Sequence, residues 1–246
     1  MTRHPRIVVR ALTWNLFHGR ASPPGPDRSL LPEFVHALGS VEWDVALLQE
    51  APPRWRHALA RELGAQSAIT LTSRNFGAPL RSWIADRRPN LIKSNEGGSN
   101  QLLVRAPWKI EETREHTLTR RPERRRMLWA RVAGPDGALL AVANVHGSVD
   151  TVSGAGEQVL RAAELAVDWA GDLPLLFGGD LNLRPSRQPE VFAALAQRFG
   201  LAQPTGDDAI DHLLARGLDV VQAPCRTAPP LQLSDHDYVT AVVGMR

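Results

Sequence analysis

The residues that could do chemistry in this sequence lie where apolar runs end. In the stretch LLFGGDLNLRP, residues 175–185, apolar residues lead into two glycines and then into Asp180 and Asn182. Glycines let a backbone or a ligand approach closely, so this strand ends either in a polar turn or at a reaction centre. Asp235 and His236 are adjacent, an arrangement that suits a carboxylate on a metal ion and a histidine on a phosphate.

Four more polar residues follow the same pattern: Asn15 after the first apolar run, Glu50 at the end of DVALLQE, His146 at the end of ANVH, and Asp211 inside AIDHLLAR. Each has an ordinary alternative. Asn and Asp after strands commonly form turns or helix caps. Glu50 precedes two prolines and could be an acid at a helix N-terminus. A histidine at a strand end is commonly structural, so no residue decides the matter singly.

In this order and with these neighbours, the motifs resemble those of the endonuclease/exonuclease/phosphatase superfamily, which has the deoxyribonuclease I-like fold. They are TWN at 13–15, LLQE at 47–50, NVHGS at 144–148, GDLN at 179–182, IDHLL at 210–214 and SDH at 234–236. The resemblance covers nearly the full chain. It implies an α+β fold, a four-layer αββα sandwich of two mostly antiparallel or mixed β-sheets flanked by helices.

The resemblance implies a Mg²⁺-dependent phosphoric ester hydrolase, with Mn²⁺ as a substitute ion. Glu50 would be the principal metal ligand, and Asn15 beside it would supply an amide oxygen or a phosphate contact. Asp235 would be a second metal ligand or would hydrogen-bond to a ligand of the metal without contacting the ion. Asp180 and Asn182 would orient the attacking water and a phosphate oxygen. Oxygen ligands without cysteine suit Mg²⁺.

Two histidines complete the site that the resemblance implies. His236 would contact the phosphate as an imidazolium, steadied by Asp211. His146 would protonate the leaving oxygen or stabilise its charge, a role that favours a pKa near the operating pH.

The substrate is less clearly indicated. Five arginines occur within residues 120–126. Arg124, Arg125 and Arg126 could form a rim that binds a nucleic-acid backbone, with affinity that falls steeply with salt, or they could belong to a solvated hairpin loop. Asn100, in the glycine-rich stretch EGGSNQLLVR, is expected to face the substrate.

Three tryptophans are a further candidate for substrate contact. Trp14, Trp83 and Trp129 could stack on bases, although tryptophan at strand positions is more often part of a core.

Three functions are therefore considered. The first is a Mg²⁺-dependent nuclease, with DNA favoured as substrate. The second is a hydrolase of a small phosphorylated molecule or lipid head group, which an Arg cluster turned inward would favour. The third is a non-catalytic binding protein on the same fold, and it is disfavoured because every polar position that the mechanism requires is filled.

The elements that must position these residues can be predicted from periodicity and turn residues. Strands are predicted at 7–13, 44–50, 127–133, 138–146, 173–179, 209–216, 218–224 and 238–244. Helices are predicted from about residue 29 and at 53–64, 156–171 and 189–200. The PDG turn at 135–137 predicts a hairpin. Residues 74–100 receive no assignment, and the absence of a linker favours one domain over residues 1–246.

Composition limits the remaining possibilities. The formal net charge is +3 and the sequence pI is about 9.7 because the basic residues are nearly all arginine, which permits a phosphate-bearing partner. No apolar run approaches the ~20 residues of a membrane span. The single cysteine, Cys225, and the lack of a signal-like segment predict a cytoplasmic location. The sequence does not indicate an oligomeric state.

Overall fold

The computed structural model describes residues 7–72, 97–121, 123–203 and 205–245. Its strands are β1 (Val8–Asn15), β2 (Val45–Ala51), β3 (Ala65–Leu71), β4 (Ser99–Arg105), β5 (Lys109–Thr119), β6 (Arg125–Ala133), β7 (Leu139–His146), β8 (Leu175–Asp180), β9 (Asp211–Arg216), β10 (Asp219–Thr227) and β11 (Tyr238–Gly244). Its α-helices are α1 (Leu31–Gly39), α2 (Arg56–Glu62), α3 (Ala155–Ala170) and α4 (Pro189–Phe199). The predicted strands and helices are thereby confirmed, with small shifts at their ends.

The strands form two mixed sheets. One has the order β10-β11-β1-β2-β4-β3 and the other the order β5-β6-β7-β8-β9. Among the described strands, β1 with β2 and β7 with β8 are the parallel pairs, and every other pair is antiparallel. The hairpin predicted from PDG is confirmed, because β6 and β7 pair antiparallel around it.

The sheets pack face to face and are covered by helices on their outer faces. Val45 and Val142 belong to the apolar cluster between the sheets. Phe34 of α1 packs on the outer face of the six-stranded sheet, and Val159 of α3 packs on the outer face of the five-stranded sheet. The predicted four-layer sandwich is confirmed. Because its central strands are buried on both faces, they read as nearly continuous apolar runs.

The tryptophans occupy the core. Trp14 and Trp129 are each 1% exposed, so the hypothesis that they stack on bases is wrong. Trp83 and most of the unassigned segment 74–100 lie outside the described residues, and residues 99–100 begin β4. No helix in the described ranges has the length and apolarity needed to cross a membrane.

Candidate active site

Strand register brings three predicted site residues into one row. His146 at the end of β7 lies opposite Asp180 at the end of β8, because these strands are parallel. Asp180 in turn lies opposite Asp211 at the start of β9, because this pair is antiparallel. In the other sheet Asn15 ends β1 opposite Gln49. The polar strand ends of both sheets therefore meet at one edge of the sandwich.

Asp180 lies at the centre of this group and is 1% exposed. Its Oδ2 accepts a hydrogen bond from Asn15 Nδ2 at 2.9 Å, and its Oδ1 accepts one from the Asn182 backbone N–H at 3.0 Å. His146 Nε2 lies 3.5 Å from Oδ2, and His236 Nε2 lies 3.9 Å away. Burial raises the pKa of Asp180 above its ordinary value, so the ionised carboxylate is a stronger base than an exposed one.

His236 and Asp211 form a close acid–histidine pair. His236 Nδ1 lies 2.8 Å from Asp211 Oδ2. Burial lowers the pKa of His236, but the hydrogen bond and the charge of Asp211 outweigh it and raise the pKa to about 10. The imidazole is therefore positively charged at neutral pH. Ser234 fixes this segment, since its hydroxyl donates to the Asn15 carbonyl at 2.6 Å and accepts the His236 backbone N–H.

Glu50 reaches the site because β2 contains a bulge. Leu48 pairs with Gln101 and Ala51 with Ser99, so two residues of β2 oppose one of β4, and Glu50 has a φ of 48°. A bulge redirects a side chain from the regular alternation of a strand. Glu50 Oε1 consequently lies 3.8 Å from His146 Nε2.

The Glu50 carboxylate is ionised. Burial raises the pKa of Glu50, but the hydrogen bond from His18, with a smaller contribution from the Arg125 guanidinium, outweighs burial and lowers the pKa below its ordinary value. The side chain keeps 22% of its surface exposed, so Glu50 can offer an oxygen to a cation.

His146 is buried and neutral. Its side chain is 3% exposed, and Arg125 Nη1 lies 3.0 Å from Nδ1 and 2.7 Å from Nε2. Burial and the Arg125 charge lower the pKa of His146 to about 3. The expected pKa near the operating pH is therefore not found. A neutral imidazole can still donate a hydrogen bond to a leaving oxygen, the second of its two expected roles.

The donor set fits a hard divalent cation. Within the part of the chain that the structure describes, Asp180, Asp211 and His236 each offer a ligand atom, all within 4.8 Å of one another. His236 is already hydrogen-bonded through Nδ1 and is positively charged, so it suits an anion better than a cation. Glu50, by contrast, is an ionised oxygen ligand of the kind that Mg²⁺ prefers. Asp235 is 41% exposed and lies 3.9 Å from His236 Nε2.

The arginines expected to bind substrate divide into two groups. Arg125 contacts His146 and thus belongs to the site. Arg126 points elsewhere, because its guanidinium pairs with Glu115 at 2.6 Å. Arg124 is half-buried just before β6 and makes no ion pair with a described carboxylate. Arg125 and Arg126 differ because successive side chains of a strand point to opposite faces of the sheet.

Asn100 is also not joined to the acids and histidines of the site. Its side chain is fully buried, and Nδ2 donates to the Arg126 carbonyl at 2.7 Å. Its contact with a substrate remains a prediction. Asn182 has a φ of 55°, and its Nδ2 donates to the Gly147 carbonyl at 3.1 Å.

Residues that the sequence did not single out support this site. Gln49 Nε2 donates to Asn144 Oδ1 at 2.8 Å. Asn144 Nδ2 donates to the carbonyls of Leu48 and Gln101 at 3.0 and 2.8 Å. This buried amide pair joins the two sheets next to Glu50 and two residues before His146. The sequence carries a sign of this pair, because Gln49 and Asn144 both belong to the quoted motifs LLQE and NVHGS.

Comparison with known proteins agrees with this fold. The model of the Endonuclease/Exonuclease/phosphatase family matches residues 12–236. No curated protein matches the chain. An endonuclease/exonuclease/phosphatase from Beutenbergia cavernae is 19% identical, with 98% of this chain and 72% of that chain covered and a TM-score of 0.69.

Two other solved structures share the architecture. The human Nocturnin catalytic domain with bound sulfate anion is 16% identical, with 97% of each chain covered and a TM-score of 0.70. A mannosyl-6-phosphatase from Bacteroides thetaiotaomicron is 15% identical, with 95% of this chain and 98% of that chain covered and a TM-score of 0.66. At such identities the likeness shows the fold alone.

Proposed function

Because the chain belongs to the endonuclease/exonuclease/phosphatase family, we propose that it is a Mg²⁺-dependent nuclease that hydrolyses phosphodiester bonds, with DNA the favoured substrate. Phosphoester hydrolysis is the chemistry of this family. The observation that carries the proposal is the His236–Asp211 pair, 2.8 Å apart, which holds a positive charge beside the buried Asp180 carboxylate. A fixed cation next to a base is what attack of water on an anionic phosphate requires.

Each residue has a distinct task in this mechanism. His236 binds a phosphate oxygen and neutralises its charge. Asp180, held by Asn15 and by the Asn182 backbone, accepts a proton from the attacking water. The Asn182 side chain, which is anchored through Nδ2 to the Gly147 carbonyl, orients the water or a phosphate oxygen.

The leaving oxygen is assigned to the opposite part of the site. His146 donates a hydrogen bond to it as a neutral imidazole, and Arg125 beside the ring supplies the positive charge. Glu50 would hold the divalent cation, with Asn15 and Asp235 as the further candidate ligands. When bound, the cation would stabilise negative charge on the phosphate and leaving oxygens.

Nucleic acid is favoured over a small ester by two exposed arginines in the turn that precedes Arg125. Arg120 and Arg121 are exposed in the turn between β5 and β6. Neither makes an ion pair with a carboxylate of the described residues, so both are available to phosphates of a polymer. A small-molecule phosphatase remains the second candidate, because the guanidinium of Arg125 is turned inward against His146.

The primary test is hydrolysis of plasmid, single-stranded DNA, RNA and a panel of small phosphoesters, with Mg²⁺ or with EDTA. We expect metal-dependent cleavage of DNA that falls by roughly 10²- to 10³-fold in His236→Ala, because a fixed charge on the phosphate is lost. His57→Ala, an exposed histidine on α2, is the matched control. Turnover of a small phosphoester alone would replace the nuclease with the second candidate, and inactivity on the whole panel would contradict both.

The contribution of the exposed arginines can be separated from catalysis. The double variant Arg120→Ala/Arg121→Ala should lower the slope of log affinity against log salt by roughly 2 for duplex DNA. The control is Arg61→Ala/Arg161→Ala, which removes two exposed arginines from α2 and α3. An unchanged slope in the first variant would contradict contact between this turn and a polymer backbone.

We also propose that residues 1–246 act as one domain, since β1 near one end of the chain pairs with β11 near the other and the family match spans residues 12–236. A cytoplasmic location is part of the proposal and is supported by the single, exposed Cys225, because a reducing compartment suits a lone thiol.

A further inference from the structure

His18 contacts Glu50 from outside the residues assigned to the reaction. It lies in the short turn Phe17–Gly19 directly after β1, and its Nε2 is 3.0 Å from Glu50 Oε2. The side chain is largely buried, with 14% of its surface exposed. Its other ring nitrogen, Nδ1, is buried and has no hydrogen-bond partner among the described residues. The contact with Glu50 is therefore the hydrogen bond that fixes this ring.

The backbone is shaped to make this contact. His18 has a φ of 54° and Glu50 a φ of 48°, and both values are uncommon for residues with a side chain. Such conformations are costly and persist where the surroundings impose them. The turn after β1 and the bulge in β2 thus bring the two side chains together.

Gly98 provides the space for the pair. A Cβ atom at this position would lie 3.3 Å from His18 Cε1 and 3.8 Å from Glu50 Cα. The same Cβ would lie 3.1 Å from Thr72 Oγ1. A side chain there would press on the imidazole and on Thr72, so the glycine just before β4 leaves room for the His18 ring.

We propose that His18 is a positioning residue that orients the Glu50 carboxylate for a divalent cation. Nε2–H donates to Oε2 and fixes the rotation of the carboxylate. Oε1 is left on the side of His146, at 3.8 Å from its Nε2, where the reaction is proposed to occur. Hydrogen bonds to a ligating carboxylate set its orientation, and their loss typically weakens metal binding by roughly 10- to 100-fold.

This inference rests on the proposed function, because it takes Glu50 as a metal ligand. It also gives the site two histidine–carboxylate pairs with different tasks. His236 with Asp211 presents a positive charge to an anion, whereas His18 with Glu50 presents an oxygen to a cation.

The test is the dissociation constant of Mn²⁺, measured by electron paramagnetic resonance on the full chain without substrate. We expect His18→Ala to weaken Mn²⁺ binding by roughly 10- to 100-fold and His18→Gln to restore part of it, because the glutamine amide can still donate to Glu50. His57→Ala is the control for loss of a histidine, and Glu50→Gln is the control for loss of the ligand. Thermal unfolding without metal checks that the variants are folded.

The outcomes separate the inference from the proposed function. Mn²⁺ affinity unchanged in His18→Ala but lost in Glu50→Gln would overturn the role of His18 and leave the proposed function intact. Equal affinity in wild type and Glu50→Gln would overturn the inference, since Glu50 would not be a ligand, and the hydrolysis panel would still decide the proposed function. A nitrogen coupling to Mn²⁺ that disappears in His18→Ala would make His18 a direct ligand and would likewise overturn the positioning role.

Discussion

The substitution Asn144→Leu should destabilise the protein and impair the site together. Asn144 is fully buried on β7 and makes three hydrogen bonds to the other sheet, to Gln49 Nε2 and to the carbonyls of Leu48 and Gln101. Leucine has a similar size and removes all three. The bonds connect strands that belong to different sheets, so no sheet ladder can replace them.

The magnitude follows from these three bonds. A hydrogen bond in a protein contributes about 1 kcal/mol net, and a buried partner left unsatisfied costs more. The loss should therefore be about 3 kcal/mol, a large fraction of the roughly 5–15 kcal/mol that stabilises a typical domain. Glu50 directly follows Gln49, and His146 lies two residues after Asn144. Loss of the buried amide pair Gln49–Asn144 should thus also move the side chains of Glu50 and His146 apart.

The assay is the free energy of unfolding in urea, together with Mn²⁺ affinity and the rate of hydrolysis of whichever substrate the panel shows to be cleaved. Val142→Ala is the matched control, because Val142 lies on the same face of β7 and is buried between the same sheets. Removal of its methyl groups should cost roughly 2 kcal/mol with Mn²⁺ affinity preserved. We expect Asn144→Leu to lose both stability and Mn²⁺ affinity.

Two results would refute this reasoning. A free energy of unfolding for Asn144→Leu within about 0.5 kcal/mol of wild type would show that the buried amide pair contributes little. An equal fall in Mn²⁺ affinity in Asn144→Leu and Val142→Ala would show that general destabilisation, and not loss of the buried amide pair, weakens metal binding.

Three further predictions concern backbone strain, pH and metal. Gly179→Ala should cost more than about 3 kcal/mol, measured by thermal unfolding, because its φ is 128° and a Cβ would clash with the Val145 carbonyl; a small shift would contradict the required close approach. The pKa of His236 is about 10 in the folded protein and 6.5 as a free group, so its contribution to the free energy of unfolding is complete below pH 6.5 and is lost as the pH rises through about 10. Urea unfolding at a series of pH values should show this fall in the free energy of unfolding, and the fall should be smaller in Asp211→Asn. A free energy of unfolding that does not change over this pH range would contradict the pairing of His236 with Asp211. Mn²⁺ should raise the melting temperature of wild type through binding to the folded state but not that of Glu50→Gln, and equal shifts would argue against Glu50 as a ligand.

The strands and helices could be predicted because the sequence records burial directly. Runs such as DVALLQE and ALLAVANVH are apolar at successive positions, and the strands they form, β2 and β7, are covered on both faces. The PDG turn fixed one hairpin locally. Strand order was not predictable in this way, because the pairing of β11 with β1 joins residues at opposite ends of the chain.

The types of the site residues could also be predicted, since acids, amides and histidines at strand ends form recognisable motifs. The sequence did not reveal that Arg125 faces His146 while Arg126 pairs with Glu115, because that depends on which face of β6 meets the site. Nor did it reveal the contact of His18 with Glu50, which the bulge in β2 creates.

The order of amino acids alone shows which chemical groups are present and which segments must be buried. The charge state of each group depends on the neighbours that folding gives it. His146 and His236 are the same residue type at similar strand ends, yet burial beside Arg125 lowers the pKa of one and Asp211 raises that of the other. A pKa depends on the dielectric environment and on charges within a few ångströms, and those neighbours are assembled only when distant strands come into register.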